Sequence, residues 1–304
     1  MPQGVYKIAL NASIDESFVI SYSNAEKFRK VISSEKNGST QVHLRNGDFL
    51  GITIFTPIHS EQIQIGEYFY ELDKLIGLHQ RKHDRLVTLK KAMLQKMFPL
   101  AGNSTPEIRF KGFSREWEER LLSELTCKVI EKNILKEHFE TFTNSAEFGI
   151  VSQRDYFDKE ISNAANIGGY YIVEPDSFIY NPRISALAPV GPINRNKLSR
   201  TGVMSPLYTV FTAKYVDNTF LEYFFKTNLW HPFMFINGDT GARADRFSIK
   251  DAVFMELPVP YPVLLEQQKI GTYFRQLDEL ISKHAIQLQK LKQIKSACLE
   301  KMFV

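Results

Sequence analysis

A long stretch of this chain occurs twice. The segment EQIQIGEYFYELDKLIGLHQRKHDRLVTLKKAMLQKMF at 61–98 recurs as EQQKIGTYFRQLDELISKHAIQLQKLKQIKSACLEKMF at 266–303, ungapped at an offset of 205 and identical at 18 of 38 positions. An internal repeat limits the architectures open to a chain before any local propensity does. Glu-Gln, Ile-Gly, Tyr-Phe, Leu-Asp and Lys-Met-Phe are all kept in both copies, which two unrelated surface helices would not do. The segment is a duplication.

Within each copy the apolar period is helical. Ile65, Phe69, Leu72, Ile76, His79, His83, Leu86, Lys90, Met93 and Met97 step alternately by four and three, as does the series Ile270, Phe274, Leu277, Ile281, His284, Leu288, Leu291, Lys295, Cys298 and Met302. That is the seam of a coiled coil. A helix of this length spans about 57 Å at 1.5 Å per residue, and alone it would leave its seam in water. The two copies are therefore expected to pack on each other. Duplicated halves related by a pseudo-twofold axis would set them antiparallel. His79 with His284 and Lys90 with Lys295 are polar at seam positions in both copies, a pattern suited to fixing the register of the pair.

The repeat continues upstream at an offset of 202. Tyr6, Asp15 and Phe18 fall on Tyr208, Asp217 and Phe220, and Phe28 falls on Trp230; a small length difference then restores the 205 register. Pro57 and Pro262 each stand four residues before the Glu-Gln pair. Proline lacks a backbone N–H, so each long helix is expected to start after it. Residues 6–98 thus correspond to 208–303, while 106–203 have no counterpart.

The text between the long helices is mostly β-like. AGNSTP (101–106) is a loop by composition. GGYYIVEPDSFIYNPRISALAPVGPI has short aromatic and β-branched runs broken by Gly and Pro, and SPLYTVFTAKYV reads as a further strand. Helices are expected at 114–125, where Trp117, Leu121, Leu122 and Leu125 share a face, and at 218–229. The predicted fold is a mixed α/β (α+β) domain with an irregular sheet, plus two long repeated helices forming an antiparallel coiled coil. The boundaries are 1–57 for an incomplete first domain, 58–98 for the first helical region and 99–105 for a linker. A complete second domain follows at 106–262, then the second helical region at 263–304.

Polar residues in the loops of that domain suit nucleic acid. Ser152, Gln153 and Arg154 form one cluster and Asn181 with Arg183 another. Asn194, Arg195, Asn196, Lys197 and Arg200 form a third, and Arg243 with Arg246 a fourth. Arginine can give two hydrogen bonds to guanine O6 and N7, Asn and Gln match adenine's major-groove edge, and lysine neutralises phosphate. The stretch GPINRNKLSRTG holds three cations and no acid. The alternative for each cluster is an ordinary solvated loop. A net charge of +4 and a pI near 8.8 permit a polyanionic partner without requiring one.

Other chemistry finds little support. The two cysteines, Cys127 and Cys298, are far apart and in no metal-type spacing, so a disulfide framework and a zinc site are not expected. Neither a signal peptide nor an apolar run long enough for a bilayer is read, so a cytoplasmic chain is expected. The text holds no Asn/Asp-Pro-Pro-Tyr/Phe element: Asn181-Pro182-Arg183 comes nearest and lacks it. GDTG (238–241) is no phosphate loop, because no Gly-Lys-Ser/Thr follows. His79 and His83 have the i, i+4 spacing of a metal pair, but their counterparts are His284 and Leu288, which favours packing or register. No catalytic residue and no metal ligand is expected.

The residues carry a resemblance. PEIRFKGFSREWEERLLSEL (106–125), IVSQRDYF (150–157), the NPR and APVGPI stretches and MSPLYTVF (204–211) resemble a target recognition domain of type I restriction-modification specificity subunits. The Pro…EQ..IG.YF..LD.LI segments ending in Lys-Met-Phe resemble that family's helical regions. The resemblance extends over essentially the whole chain. It implies a non-catalytic subunit that binds double-stranded DNA, its paired helices acting as a spacer ruler. Modification subunits would dock on the helices and methylate adenine, and a translocase-nuclease subunit would add cleavage. S-adenosylmethionine, ATP and Mg would belong to those partners. The family carries two complete recognition domains, and 1–57 supplies only the distal part of a first one. A fragment left by rearrangement, a recombination cassette and a half-type subunit that forms a homodimer are all compatible with that departure. A structural coiled-coil scaffold is the remaining alternative.

Overall fold

The computed structural model describes residues 8–34, 46–100, 102–157, 166–240 and 245–303. They form two compact units, one from 1–88 with 278–304 and the other from 89–277. The division falls inside both long helices, so each unit takes a part of each.

In the first unit, α1 (Glu16–Asn24), α2 (Glu26–Ser34) and the short α3 (Asn46–Leu50) precede the long α4 (His59–Lys96). Four aromatic rings make its core. Phe303, just past the end of the second long helix, stacks on Phe69 at 5.7 Å and meets Phe18 edge-on at 5.5 Å and Tyr22 at 5.4 Å. Ile65 and Ala25 close the cluster. Each such aromatic contributes about 1.5–3 kcal/mol on burial.

The second unit opens with β1 (Glu118–Leu121), α5 (Leu122–Leu125) and β2 (Thr126–Lys128). There follow β3 (Phe142–Ser145), β4 (Gly149–Ser152), α6 (Gln153–Phe157), β5 (Tyr171–Val173), β6 (Phe178–Tyr180), β7 (Ile193–Arg195), β8 (Gly202–Met204) and β9 (Thr209–Ala213). The unit ends with α7 (Asn218–Phe224), α8 (His231–Asn237), α9 (Asp251–Phe254), β10 (Pro258–Tyr261) and the start of α10 (Leu264–Met302). A four-stranded sheet in the order β2-β9-β6-β7 is flanked by the antiparallel pairs β3-β4, β5-β8 and β1-β10. Phe142, Ile150, Val173, Ile179, Met204 and Val210 form the core between them.

The two expected helices of this unit are corrected. Only Leu122–Leu125 of 114–125 is helical. Glu118–Leu121 pairs with Pro258–Tyr261, and ladder bonding with burial of Trp117 outweighs the amphipathic spacing. The 218–229 helix stops at Phe224, because a turn over 225–230 intervenes before Pro232 starts α8.

The long helices are antiparallel. In the first unit, α4 residues 68, 73 and 79 meet α10 residues 298, 295 and 284 in that order. Ile65, Phe69, Ile270, Phe274 and Leu277 are buried on the seam. Leu72, Ile76, His79, Leu86, Met93, Ile281, His284 and Leu291 are half-buried, while Tyr70 one step away is exposed.

The repeat is visible in atomic detail as the same lock built twice. Asp15 caps α1 by accepting from Phe18 N–H at 2.8 Å; Gln62 Oε1 accepts from Asp15 N–H at 3.0 Å while its Nε2 donates to Pro57 O at 2.9 Å. In the second unit Asp217 caps α7, accepting from Thr219 and Phe220. Gln267 Oε1 accepts from Asp217 N–H at 2.9 Å and its Nε2 donates to Pro262 O at 2.7 Å. Gly66 and Gly271 admit the capped turn: a Cβ at Gly66 would stand 2.7 Å from Phe18 N, and one at Gly271 3.1 Å from Phe220 N. Phe98 in the second unit does what Phe303 does in the first, lying 5.4 Å from Phe220 and 6.3 Å from Phe274.

Candidate nucleic-acid interface

The second unit carries a groove of about 650 Å³ over the β3-β4 pair and the β6-β7 edge. Gln153, Asn181, Arg183 and Arg246 all line it. The fold thus gathers members of three sequence clusters that lie up to 93 residues apart.

Two arginines define its rim. Arg183 and Arg246 are opposed in an antiparallel β-bridge, so their side chains leave the same face. The backbone around them is tied by Phe247 N–H to Pro182 O at 2.7 Å and Ile184 N–H to Asp245 O at 3.0 Å. Arg183 stands 3.5 Å from the exposed Asp245, whereas Arg246 has no ion-pair partner among the described residues. Like charges set directly opposite each other are unfavourable in a sheet, and an anion on that face would offset the repulsion. Gln153, also in the lining, donates through Nε2 to Phe142 O at 3.4 Å and has a buried Oε1 with no hydrogen-bond partner among the described residues.

Beneath the groove lies an asparagine network. Asn144 Nδ2 donates to Ile179 O at 2.7 Å, its Oδ1 accepts from Asn194 Nδ2 at 2.7 Å, and its carbonyl accepts from Asn181 Nδ2 at 2.8 Å. These bonds fasten β3 to β6 and β7. Asn181 Oδ1 also accepts from Arg183 N–H at 3.0 Å, which fixes the turn that presents that arginine.

Several of the expected contact residues spend their polar groups inside the unit. Asn194 and Asn196 are buried, and Asn196 Nδ2 donates to Glu174 O. Arg195 lies 2.6 Å from Glu222, a carboxylate that Lys197 also approaches at 3.2 Å; both Arg195 and Glu222 are nearly inaccessible. Arg200 forks onto Glu140 with two bonds of 2.7 Å, which holds that carboxyl below its ordinary pKa. Ser152 is buried at the end of β4. The 194–200 stretch is therefore corrected from a free basic loop to an internally neutralised one, because acids remote in sequence fold back on it. Arg154 is exposed on α6, and Arg243 lies outside the described residues.

Residues 1–88 match the family model described as Type I restriction modification DNA specificity domain. That match covers the first part of the chain only. The chain also resembles the crystal structure of the HsdS subunit from Thermoanaerobacter tengcongensis at a TM-score of 0.52 and 16% identity, over 96% of this chain and 70% of that one. A chain from a structural study of complex assembly and conformational transition of the type I R-M system matches at TM-score 0.52 and 16% identity, over 97% of this chain and 72% of that one. Both likenesses concern the fold. No curated protein is significantly similar to the chain.

The matched stretch lies in the first copy of the repeat, whereas most of the groove is built from residues 143–205, which have no counterpart there. Asp15, Gln62 and Gly66 of the matched stretch recur as Asp217, Gln267 and Gly271, so the second unit repeats its capping lock. Three features of the groove escaped the sequence. Tyr156, Tyr170 and Tyr208 line it, Leu187 and Leu207 are exposed on its wall, and Asn144 is its structural hub. Among the described residues no His, Cys, Asp and Glu group could hold a metal ion, and no helix is long and apolar enough to cross a membrane.

Proposed function

We propose that the chain is the non-catalytic specificity subunit of a type I restriction-modification complex, and that it reads DNA through the groove of its second unit. The observation that carries this reading is the opposed pair Arg183 and Arg246 in the lining of the groove, with no acid paired to Arg246 among the described residues. Arginine is a side chain that reads the guanine edge, and a fixed pair of guanidinium groups also suits phosphate. The scaffold supports the assignment from a second side, since the repeat brings the specificity-domain lock into the unit that holds the groove.

In this reading the groove side chains choose the site, and the paired helices set its distance from a second site and offer a surface to modification subunits. Methyl transfer, with S-adenosylmethionine, and ATP-driven cleavage with Mg reside in those partners. The test is an adenine methylome of cells that express a modification subunit of the same system with and without this chain. A new methylated motif that disappears in an Arg183→Ala, Arg246→Ala double variant is expected. Methylation at the same motif with both arginines removed would refute the assignment of the groove.

A further inference from the structure

The first unit has a face whose counterpart in the second unit is covered by an arm of chain, residues 106–121. There Arg109 grips Glu266 with two bonds, Nε to Oε1 at 2.7 Å and Nη2 to Oε2 at 2.8 Å, and Glu266 is fully buried. Phe110 meets Tyr273 edge-on at 6.1 Å, and Trp117 lies over Phe98 and Phe220 at 6.3 and 6.0 Å. The arm ends as β1, paired with β10 from Glu118↔Tyr261 to Leu121↔Pro258.

Every receptor of that arm is repeated in the first unit: Glu61, Tyr68 and Phe55 of the extended edge are exposed, and the buried rings of Phe18 and Phe303 line a cavity. Glu61, the counterpart of Glu266, is exposed and has no ion-pair partner among the described residues. Tyr68, the counterpart of Tyr273, is 43% exposed. Residues 53–56 match β10 but pair with no strand among the described residues, and Phe55 is 80% exposed. Phe18 and Phe303, the counterparts of Phe220 and Phe98, line a cavity of about 280 Å³ together with Glu61 and Ile65. An anion, an aromatic socket and an unpaired extended edge thus recur in the arrangement that the arm satisfies elsewhere in the same molecule.

We propose that this face is a docking site for a second polypeptide carrying an arm of the same chemistry: an arginine for Glu61, an aromatic ring for Tyr68, a tryptophan for the Phe18–Phe303 cavity and a terminal strand for 53–56. Strand addition to an open edge is an established mode of peptide capture. The inference is independent of DNA reading, since no residue of the groove takes part.

The probe is a fluorescent peptide of residues 104–121, titrated into the 304-residue chain and followed by anisotropy. Saturable binding is expected. It should weaken about tenfold to a hundredfold with Glu61→Gln in the chain or Arg109→Ala in the peptide, as loss of a charged hydrogen-bonded pair does. Glu61 is exposed, so the variant keeps its fold, which far-UV circular dichroism checks. Hydrogen exchange with and without peptide supplies the second readout, with protection expected at 53–69. Absence of saturable binding, binding indifferent to Glu61→Gln, or protection at 258–274 in place of 53–69 would each overturn the proposal.

Discussion

Replacing Gln267 with methionine tests the lock that joins each long helix to the unit at its foot. The substitution keeps the length and volume of the side chain and removes both hydrogen bonds. Asp217 N–H then loses its acceptor at 2.9 Å and Pro262 O its donor at 2.7 Å, at a residue with no exposure at all. A buried polar group left unpaired costs about 1–3 kcal/mol, so the pair costs about 2–6 kcal/mol. With a urea slope of roughly 1–3 kcal/mol per molar, the midpoint should fall by about 1 M or more. Tryptophan fluorescence is the assay, because the chain's two tryptophans, Trp117 and Trp230, are both buried in the second unit. Gln62→Met removes the same two bonds in the first unit, which holds no tryptophan, and its loss is read by far-UV circular dichroism. A midpoint shift for Gln267→Met under about 0.3 M at unchanged slope would refute the reasoning, since the predicted cost could not then be hidden in altered compactness.

Arg109→Met leaves Glu266 buried and unpaired and should cost about 3–5 kcal/mol by tryptophan fluorescence, whereas Lys295→Met, which breaks a more exposed pair with Asp73 in the first unit, should cost under about 1 kcal/mol by far-UV circular dichroism. Arg246→Ala should reduce the slope of log binding constant against log salt by about 0.9 if it contacts phosphate; an unchanged slope together with unchanged base preference would exclude it from the interface. Desolvation, followed by the charges of His79, Lys82, Lys283 and His83, holds the His284 pKa below its ordinary value. The unfolded chain therefore takes up that proton more readily, and stability should fall as pH drops below about 6.5. A His79→Leu, His284→Leu variant should lose that part of the pH dependence and gain stability at neutral pH, both read from denaturation midpoints.

The paired helices were legible because their signal is redundant. Period and duplication each point to Phe69 and Phe274 as seam residues, and one helix cannot satisfy either seam alone. The roles of the polar loop residues were not legible, because they depend on partners far away in sequence. Arg195 reads as a free cation until Glu222 is brought to 2.6 Å, and Arg200 until Glu140 is. Asn181 and Asn194 read as base-reading amides until Asn144 draws both inward. Arg183 and Arg246 have sequence neighbourhoods no more telling, and only a β-bridge between segments 63 residues apart sets them side by side. The 114–125 segment failed for the same reason: its strand partner lies 140 residues downstream at Pro258–Tyr261.

The contact between His79 and His284 follows from the geometry of the repeat itself. Their Nδ1 atoms lie 2.9 Å apart, and their sequence separation, 205, is the offset of the duplication. In an antiparallel pair of duplicated helices, one step along α4 moves the partner one step back along α10, so a residue can meet its own counterpart at only one level of the seam. Everywhere else the two copies of a position face different neighbours and are free to diverge, as His83 and Leu288 have. At this level one residue type must pack against itself. Two lysines there would repel, and two leucines would leave the register free to slide by a turn. Two neutral histidines can share one proton in a directional bond that only this register makes. The same bond fails when both rings are charged, so the residue that fixes the alignment of the helices also makes that alignment sensitive to acid.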